Sequence, residues 1–320
     1  MKATLVGIAL LLLVGVAVLL STFGAAPLPA PPPYAGDLPP ASPPAEMALF
    51  QLPTGVTHRS AAFAYRGGDF GDHRDFSMAG ALVRHPGGDL LIDTGFGRSI
   101  DAQFALMPFP FRWMTSYTKL RPAVDQLDAA GYDRRRLRGI LLTHAHWDHV
   151  SGVADFPGVP VWITAAERRF VDNGGFVTAV ARSLGGVSYE TYEFEGGPYL
   201  GFPASHDVYG DGAIVVVPAP GHTPGSVIVF VALPDGSRYA FVGDLVWQRE
   251  GITQREERPW LQRSLADADA AAVRDNLLHM AAIAARFPAL HIVPAHDARA
   301  FDELPRLPEA ANVGAGTAGP

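Results

Sequence analysis

Between residues 50 and 300 the chain alternates short apolar runs with clusters of Gly, Pro and acidic residues. Runs rich in β-branched and aliphatic residues, bounded by such breakers, predict strands. They fall at Val56–Tyr65, Phe76–Arg84, Leu90–Asp93, Gly139–Thr143, Val159–Thr164, Ala213–Val217, Ser226–Leu233, Tyr239–Val242 and Leu290–Val293. The turn His85-Pro86-Gly87-Gly88 joins the second to the third. Helical spacing of apolar residues predicts helices over Lys119–Ala130, stopped by Gly131, and over Asp267–Arg286, with Pro288 just beyond. Many strands with a few helices between them predict layered sheets covered by helices.

The two ends have patterns of their own. Lys2 precedes an uncharged run from Ala3 to about Ala26, which predicts an export signal or an uncleaved membrane anchor over residues 1–26. Residues 27–45 are proline-rich and predict an extended, semi-rigid linker. The Ala/Gly/Pro-rich residues 308–320 predict a disordered tail, leaving 46–307 as one folded domain. The expected location is exported, periplasmic or otherwise extracytoplasmic, with membrane contact through the first segment if it is retained.

Composition narrows the chemistry. A net charge of −7 over 320 residues provides no basic footprint for nucleic acid, so a small-molecule substrate is expected. With no cysteine, disulfides, thiolate nucleophiles and zinc–thiolate sites are excluded, and any metal must be held by His and carboxylate.

Those donors are present in a pattern. His144-Ala145-His146-Trp147-Asp148-His149 places four ligand candidates in six residues, directly after a strand-like run. In an extended segment His144 and His146 face the same side, while Asp148 and His149 follow the turn and can reach a neighbouring ion. His222 in Pro220-Gly221-His222-Thr223-Pro224-Gly225, Asp244 after Phe241-Val242-Gly243, and His296 after Ile292-Val293-Pro294-Ala295 each end a β-like run. Alone, His222 or His296 reads as a hydrogen-bonded loop histidine and Asp244 as a helix cap. Seven donors at strand ends together predict a metal centre.

This set resembles the metallo-β-lactamase superfamily, whose pattern is His-x-His-x-Asp-His followed by a lone His, a bridging Asp and a last His. The resemblance spans Phe50 to Phe301 and implies an α+β fold, an αββα four-layer sandwich with the metals where the sheets meet. It implies that His144, His146 and His222 hold one metal, that Asp148, His149 and His296 hold the other, and that Asp244 bridges them. Asp93 in Leu91-Ile92-Asp93-Thr94-Gly95 matches an early buried aspartate that would orient the metal loop from behind; read alone, it caps a turn. Two Zn²⁺ suit these donors, and Fe, Mn or Co suit them also. Two ions about 3.5–4 Å apart would acidify a shared water, giving a metal-bridging hydroxide as nucleophile, with Asp148 and Asp244 as the catalytic carboxylates.

Within the superfamily, Asp207-Val208-Tyr209-Gly210-Asp211-Gly212 and Gly221-His222-Thr223-Pro224-Gly225 are similar to the N-acyl-homoserine lactonase-like group. Those enzymes often carry Tyr three residues after the bridging Asp, where this chain has Trp247. The expected activity is hydrolysis of a carboxylic ester or lactone, possessing an acyl chain in the lactonase case. Alternatives are a phosphoester or organophosphate hydrolase, or a non-catalytic metal-binding protein of the same fold. Trp147, Trp247, Phe109 and Phe111 are the pocket candidates; the apolar loop Phe104–Met114 reads equally as a substrate wall, a membrane-touching lip or core packing.

Overall fold

The inward and outward alternation of apolar residues sorts the strands into two sheets in a computed structural model that describes residues 2–309, with the side chains of 2–10 and 12 outside the description. The first sheet contains β1 (Ala48–Ser60), β2 (His73–Arg84), β3 (Asp89–Ile92), β4 (Thr118–Lys119), β5 (Leu137–Leu141), β6 (Val161–Thr164) and β7 (Tyr189–Tyr192). The second contains β8 (His206–Asp207), β9 (Ile214–Pro218), β10 (Val227–Ala232), β11 (Arg238–Gly243) and β12 (Leu290–Pro294). Their orders are β4-β1-β2-β3-β5-β6-β7 and β12-β11-β10-β9-β8.

Period-two side chains build the layers. In β10, Val227, Val229 and Val231 enter a core between the sheets, where they meet Val83, Leu90, Ile92 and Leu141 of the first sheet. Ile228 and Phe230 face the other way, onto Val273, Leu277, Met280 and Ile283 of the helix Ala270–Arg286. On the far side of the first sheet, Leu82, Leu91 and Ile140 pack against Val124, Leu127, Val150 and Val171 from shorter helices. The result is helix, sheet, sheet, helix: the expected αββα sandwich. Each such side chain buried contributes roughly 1.5–3 kcal/mol before entropy is counted.

Strand direction decides where the site lies. β9 and β11 both run antiparallel to β10, and β12 runs parallel to β11, so the carboxyl ends of β9, β11 and β12 share one edge. At that edge Val227 N–H donates to the carbonyl of Thr143, just past the end of β5, at 3.0 Å and ties the two sheets together.

Several elements differ from the pattern. β1 starts at Ala48 rather than Val56, because a register shift between Pro53 and Gly55 absorbs the proline that argues against a strand. Beyond Ser60 the strand gives way to a 3₁₀ turn at Ala61–Phe63. The helix expected from Lys119 runs from Ala123 to Ala129, since Pro122 occupies its N-cap and Thr118–Lys119 pairs with β1. The long helix begins at Ala270, capped by the Asp269 carboxylate on the N–H groups of Ala271 and Ala272.

Before β1 the chain is helical over Lys2–Ser21 and then lacks helix and strand through Pro44. Among the described residues no helix is long and apolar enough to cross a membrane. The expected signal or anchor falls partly on side chains outside the description, and residues 310–320 of the expected tail lie outside it too. The proline-rich stretch is extended, but it is strapped to the body. Ala26 N–H donates to both Glu256 carboxylate oxygens at 2.9 and 3.1 Å. Leu28 exchanges backbone and side-chain bonds with Arg255, Arg238 donates to the Pro39 carbonyl, and Ser42 N–H donates to the Asp211 carbonyl. Tyr34 packs edge-on against His279 and Phe287. Proline carbonyls and apolar side chains give the strap enough attachment despite its missing N–H donors.

Candidate metal centre

After β5 the chain turns through Thr143, and the short helix Trp147–Val150, with His146 at its N-cap, presents Asp148 and His149 inward. Asp93 holds this loop from behind. Its carboxylate accepts from Thr143 N–H at 2.8 Å, Thr143 Oγ1–H at 2.7 Å and His149 Nδ1–H at 2.8 Å. Asp93 adopts φ 53°, a left-handed conformation that aspartate tolerates better than most residues. With Nδ1 of His149 committed as a donor, its Nε2 lone pair faces the centre.

The second sheet supplies the remaining donors. His222 follows β9, and its Nδ1–H donates to Asp267 Oδ1 at 2.9 Å. His296 follows β12, and its Nδ1–H donates to the Ser77 carbonyl at 2.8 Å. Asp244 follows β11 through Gly243, whose φ of 51° and close approach to Thr143 exclude a side chain. Glu167 stitches two ligand loops together: it accepts from Ala145 N–H at 2.7 Å, from Thr223 Oγ1–H at 2.7 Å and from Gly225 N–H at 3.0 Å.

All seven predicted donor residues converge. Ligand atoms of His144, His146 and His222, of His144, His149 and Asp244, and of Asp148, His149 and His296 form three groups, each within 4.8 Å. Asp244 lies between them, with Oδ2 3.2 Å from His296 Nε2 and 3.4 Å from His222 Nε2, and Oδ1 3.3 Å from His149 Nε2. His146 Nδ1 and His222 Nε2 face each other at 2.9 Å, and His222 Nδ1 is engaged by Asp267. His144 Nε2, His149 Nε2 and Asp244 Oδ1 are buried without a hydrogen-bond partner among the described residues. Orphaned lone pairs are costly in a dry interior unless a cation meets them, so these residues fit a metal centre.

The electrostatics divide the donors: burial opposes charge on His149 and His296, but Asp93 beside the first and Asp244 beside both raise them above the ordinary histidine range. Burial, reinforced by neighbouring imidazoles, pushes His144 and His146 well below the ordinary histidine range and keeps them neutral, as ligands must be. Burial opposes charge on Asp244, yet His296 and His149 hold its carboxyl well below its ordinary value.

The pocket candidates divide. Trp147 is buried among Phe96, Phe104, Phe111 and Tyr117, so it belongs to the core rather than to a pocket. Phe111 is half-buried against it, and Phe109 is 70% exposed. The loop carrying them folds as two short helices, Ile100–Phe104 and Phe109–Met114. Trp247 does reach the site, where its Nε1–H donates to Asp244 Oδ2 at 2.9 Å. The apolar recess beside the centre lies elsewhere: a cavity of about 340 Å³ lined by Ala166, Arg169, Phe170, Asn173, Gly174 and Pro224, with the Phe170 ring 6.1 Å from His146.

An ion network steadies the loop of His296. Arg74 on β2 and Arg299 both donate to Glu250, and Arg299 also grips Asp297. Burial opposes charge on Glu250, but the Arg299 bonds and the Arg74 charge lower its pKa from 4.5 to about 2. A depressed carboxylate stabilises the fold fully above its unfolded value and loses that contribution as pH falls through its folded value. Such a displacement corresponds to about 3 kcal/mol, reduced to about 1–2 kcal/mol by solvent at this partly buried position. Glu250→Gln should therefore lower stability at neutral pH by that amount and flatten its decline between about pH 5 and 2. A denaturation series showing the wild-type acid limb in the variant would refute this.

A family model described as the metallo-beta-lactamase superfamily matches residues 80–296. A probable metallo-hydrolase of Mycobacterium tuberculosis is 31% identical over 233 residues, which are 68% of this chain and 73% of that protein. The N-acyl homoserine lactonase AttM of Rhizobium johnstonii is 24% identical over 248 residues, 71% of this chain and 84% of the relative. A solved N-acyl homoserine lactone hydrolase, with the product N-hexanoyl-L-homoserine at its catalytic metal center, superposes with a TM-score of 0.64. At 18% identity over 82% of this chain and 97% of that one, this is a likeness of fold.

Proposed function

Because the chain belongs to the metallo-beta-lactamase superfamily and is a metal-dependent hydrolase, we propose that it cleaves a carboxylic ester or lactone at a dinuclear centre, with zinc as the metal. The observation carrying this reading is the convergence of seven His and Asp side chains from both sheets, with buried lone pairs that no donor among the described residues meets. In it, His144, His146 and His222 would hold one cation and Asp148, His149 and His296 the other, with Asp244 placed between the two sets. Two divalent ions would supply an acidified water and a clamp for developing negative charge. The chain's own groups do the rest. Asp148, whose Oδ2 lies 3.5 Å from His296 Nε2, is placed to accept a proton at the centre. Asp244 Oδ2 is held by Trp247, which keeps that indole nitrogen away from a substrate carbonyl.

The lactonase relatives and the apolar recess beside His146 support an acyl-bearing substrate. Export, with the N-terminal helix as signal or anchor, belongs to the same proposal and rests on the uncharged run that follows Lys2. A panel of acyl-homoserine lactones, aryl esters and phosphotriesters tests the substrate class. Turnover of lactones or esters, improving with acyl length, is expected; activity confined to phosphotriesters would overturn it.

A further inference from the structure

We propose that Arg258 is a positioning residue: one buried guanidinium that ties the Asp244 loop to the carboxylate orienting His222, and so sets the position of the bridging aspartate relative to that ligand. The inference rests on the two-metal reading above. Its side chain is 2% exposed. Nη1–H groups donate to the backbone carbonyls of Asp244 at 2.6 Å and Leu245 at 3.3 Å. Nη2–H donates to Asp267 Oδ1, the same oxygen that accepts from His222 Nδ1–H. The guanidinium carbon also lies 5.2 Å over the Trp247 ring, whose nitrogen holds Asp244 Oδ2. One cation thus touches the backbone that carries the bridging carboxylate, the indole that orients its oxygen and the carboxylate that orients His222.

The segment that carries Arg258 is itself pinned. Glu257 accepts from Arg274 and pairs with Arg263, and Arg66 N–H donates to the Glu257 carbonyl. The N-terminal strap attaches at Arg255 and Glu256 immediately before it. Removing a guanidinium from water is costly, and an apolar side chain would serve packing as well or better. What an apolar residue cannot do is aim several rigid N–H donors at two loops at once. Lysine cannot either, being a single point charge on a flexible stem.

The test uses the full chain and zinc alone, with release measured against a chromophoric chelator. Arg258→Met should release zinc about 10–100-fold more readily, the range seen when a ligand's outer partner is lost. Arg258→Lys should recover only part of that, because it can pair with Asp267 without reaching both carbonyls. Since Arg258→Met strands the buried Asp267, Arg258→Met/Asp267→Asn is the companion variant, with Asp267→Asn alone as its control. The double variant should melt close to the metal-free wild type and still bind zinc more weakly than Asp267→Asn. Unaltered zinc retention in the folded variants, or full recovery by lysine, would overturn the inference while wild type still takes two equivalents. Wild type taking fewer than two equivalents would overturn the two-metal reading and this inference with it.

Discussion

Asp244→Ala should cut kcat/KM by about a thousand-fold or more, at or beyond what losing one preorganised electrostatic group at a reacting centre costs. The carboxylate contributes to no apolar core, so the metal-free protein should keep its fold. Its absence would leave His149, His222 and His296 facing one another with no anion between them, and would release Trp247 Nε1–H from its acceptor. Metal content should fall together with turnover. Steady-state kinetics and metal analysis on the same preparation check both, and turnover at the wild-type level would remove Asp244 from the bridging position.

Asp93→Ala should have the largest effect on stability. Three donors converge on this carboxylate, namely Thr143 N–H, Thr143 Oγ1–H and His149 Nδ1–H, and all three are buried. Leaving them unmet costs about 2–4 kcal/mol in total once the structure relaxes. Alanine is also a poorer occupant than aspartate at φ 53°. Freed from its acceptor, the His149 ring loses its fixed orientation, and zinc affinity should drop about 10–100-fold. Asp93→Asn separates the two effects, since it tolerates the backbone and keeps one acceptor but sets an amide donor against a donor. Urea denaturation of the metal-free protein and zinc competition together decide the matter; wild-type values in both would refute the role.

The donors of the centre were legible in the sequence because their signal is local. His144 to His149 form a compact run, and His222, Asp244 and His296 each follow an apolar strand pattern. The residues that aim those donors were not legible. Glu167 sits in an ordinary helical pattern, and Arg258 in a charged loop; only the partners brought by folding reveal what they do. Asp267 was absorbed into the predicted helix because Ala266-Asp267-Ala268-Asp269 suits one. The useful clue was that Asp269 makes the better N-cap, which leaves Asp267 free for His222. Aromatic residues misled for a simpler reason. Composition says that Phe104–Met114 is apolar but not which way each ring turns, so Phe109 and Phe111 read alike, although one is in solvent and the other is half-buried against Trp147. β4, β7 and β8 are short or polar and exist through pairing rather than through any pattern of their own.

The division of donors between the sheets bears on how the protein is made. Four donors follow β5 and three follow β9, β11 and β12, so His296 comes long after His149 in the chain. A nascent chain emerging amino-terminus first presents the His144–His149 run long before its counterparts leave the ribosome. A full centre forms only when contacts distant in sequence have closed, and such closures are slow. The complete set of seven donors therefore exists only once both sheets have come together, and a chain truncated before His296 cannot complete it.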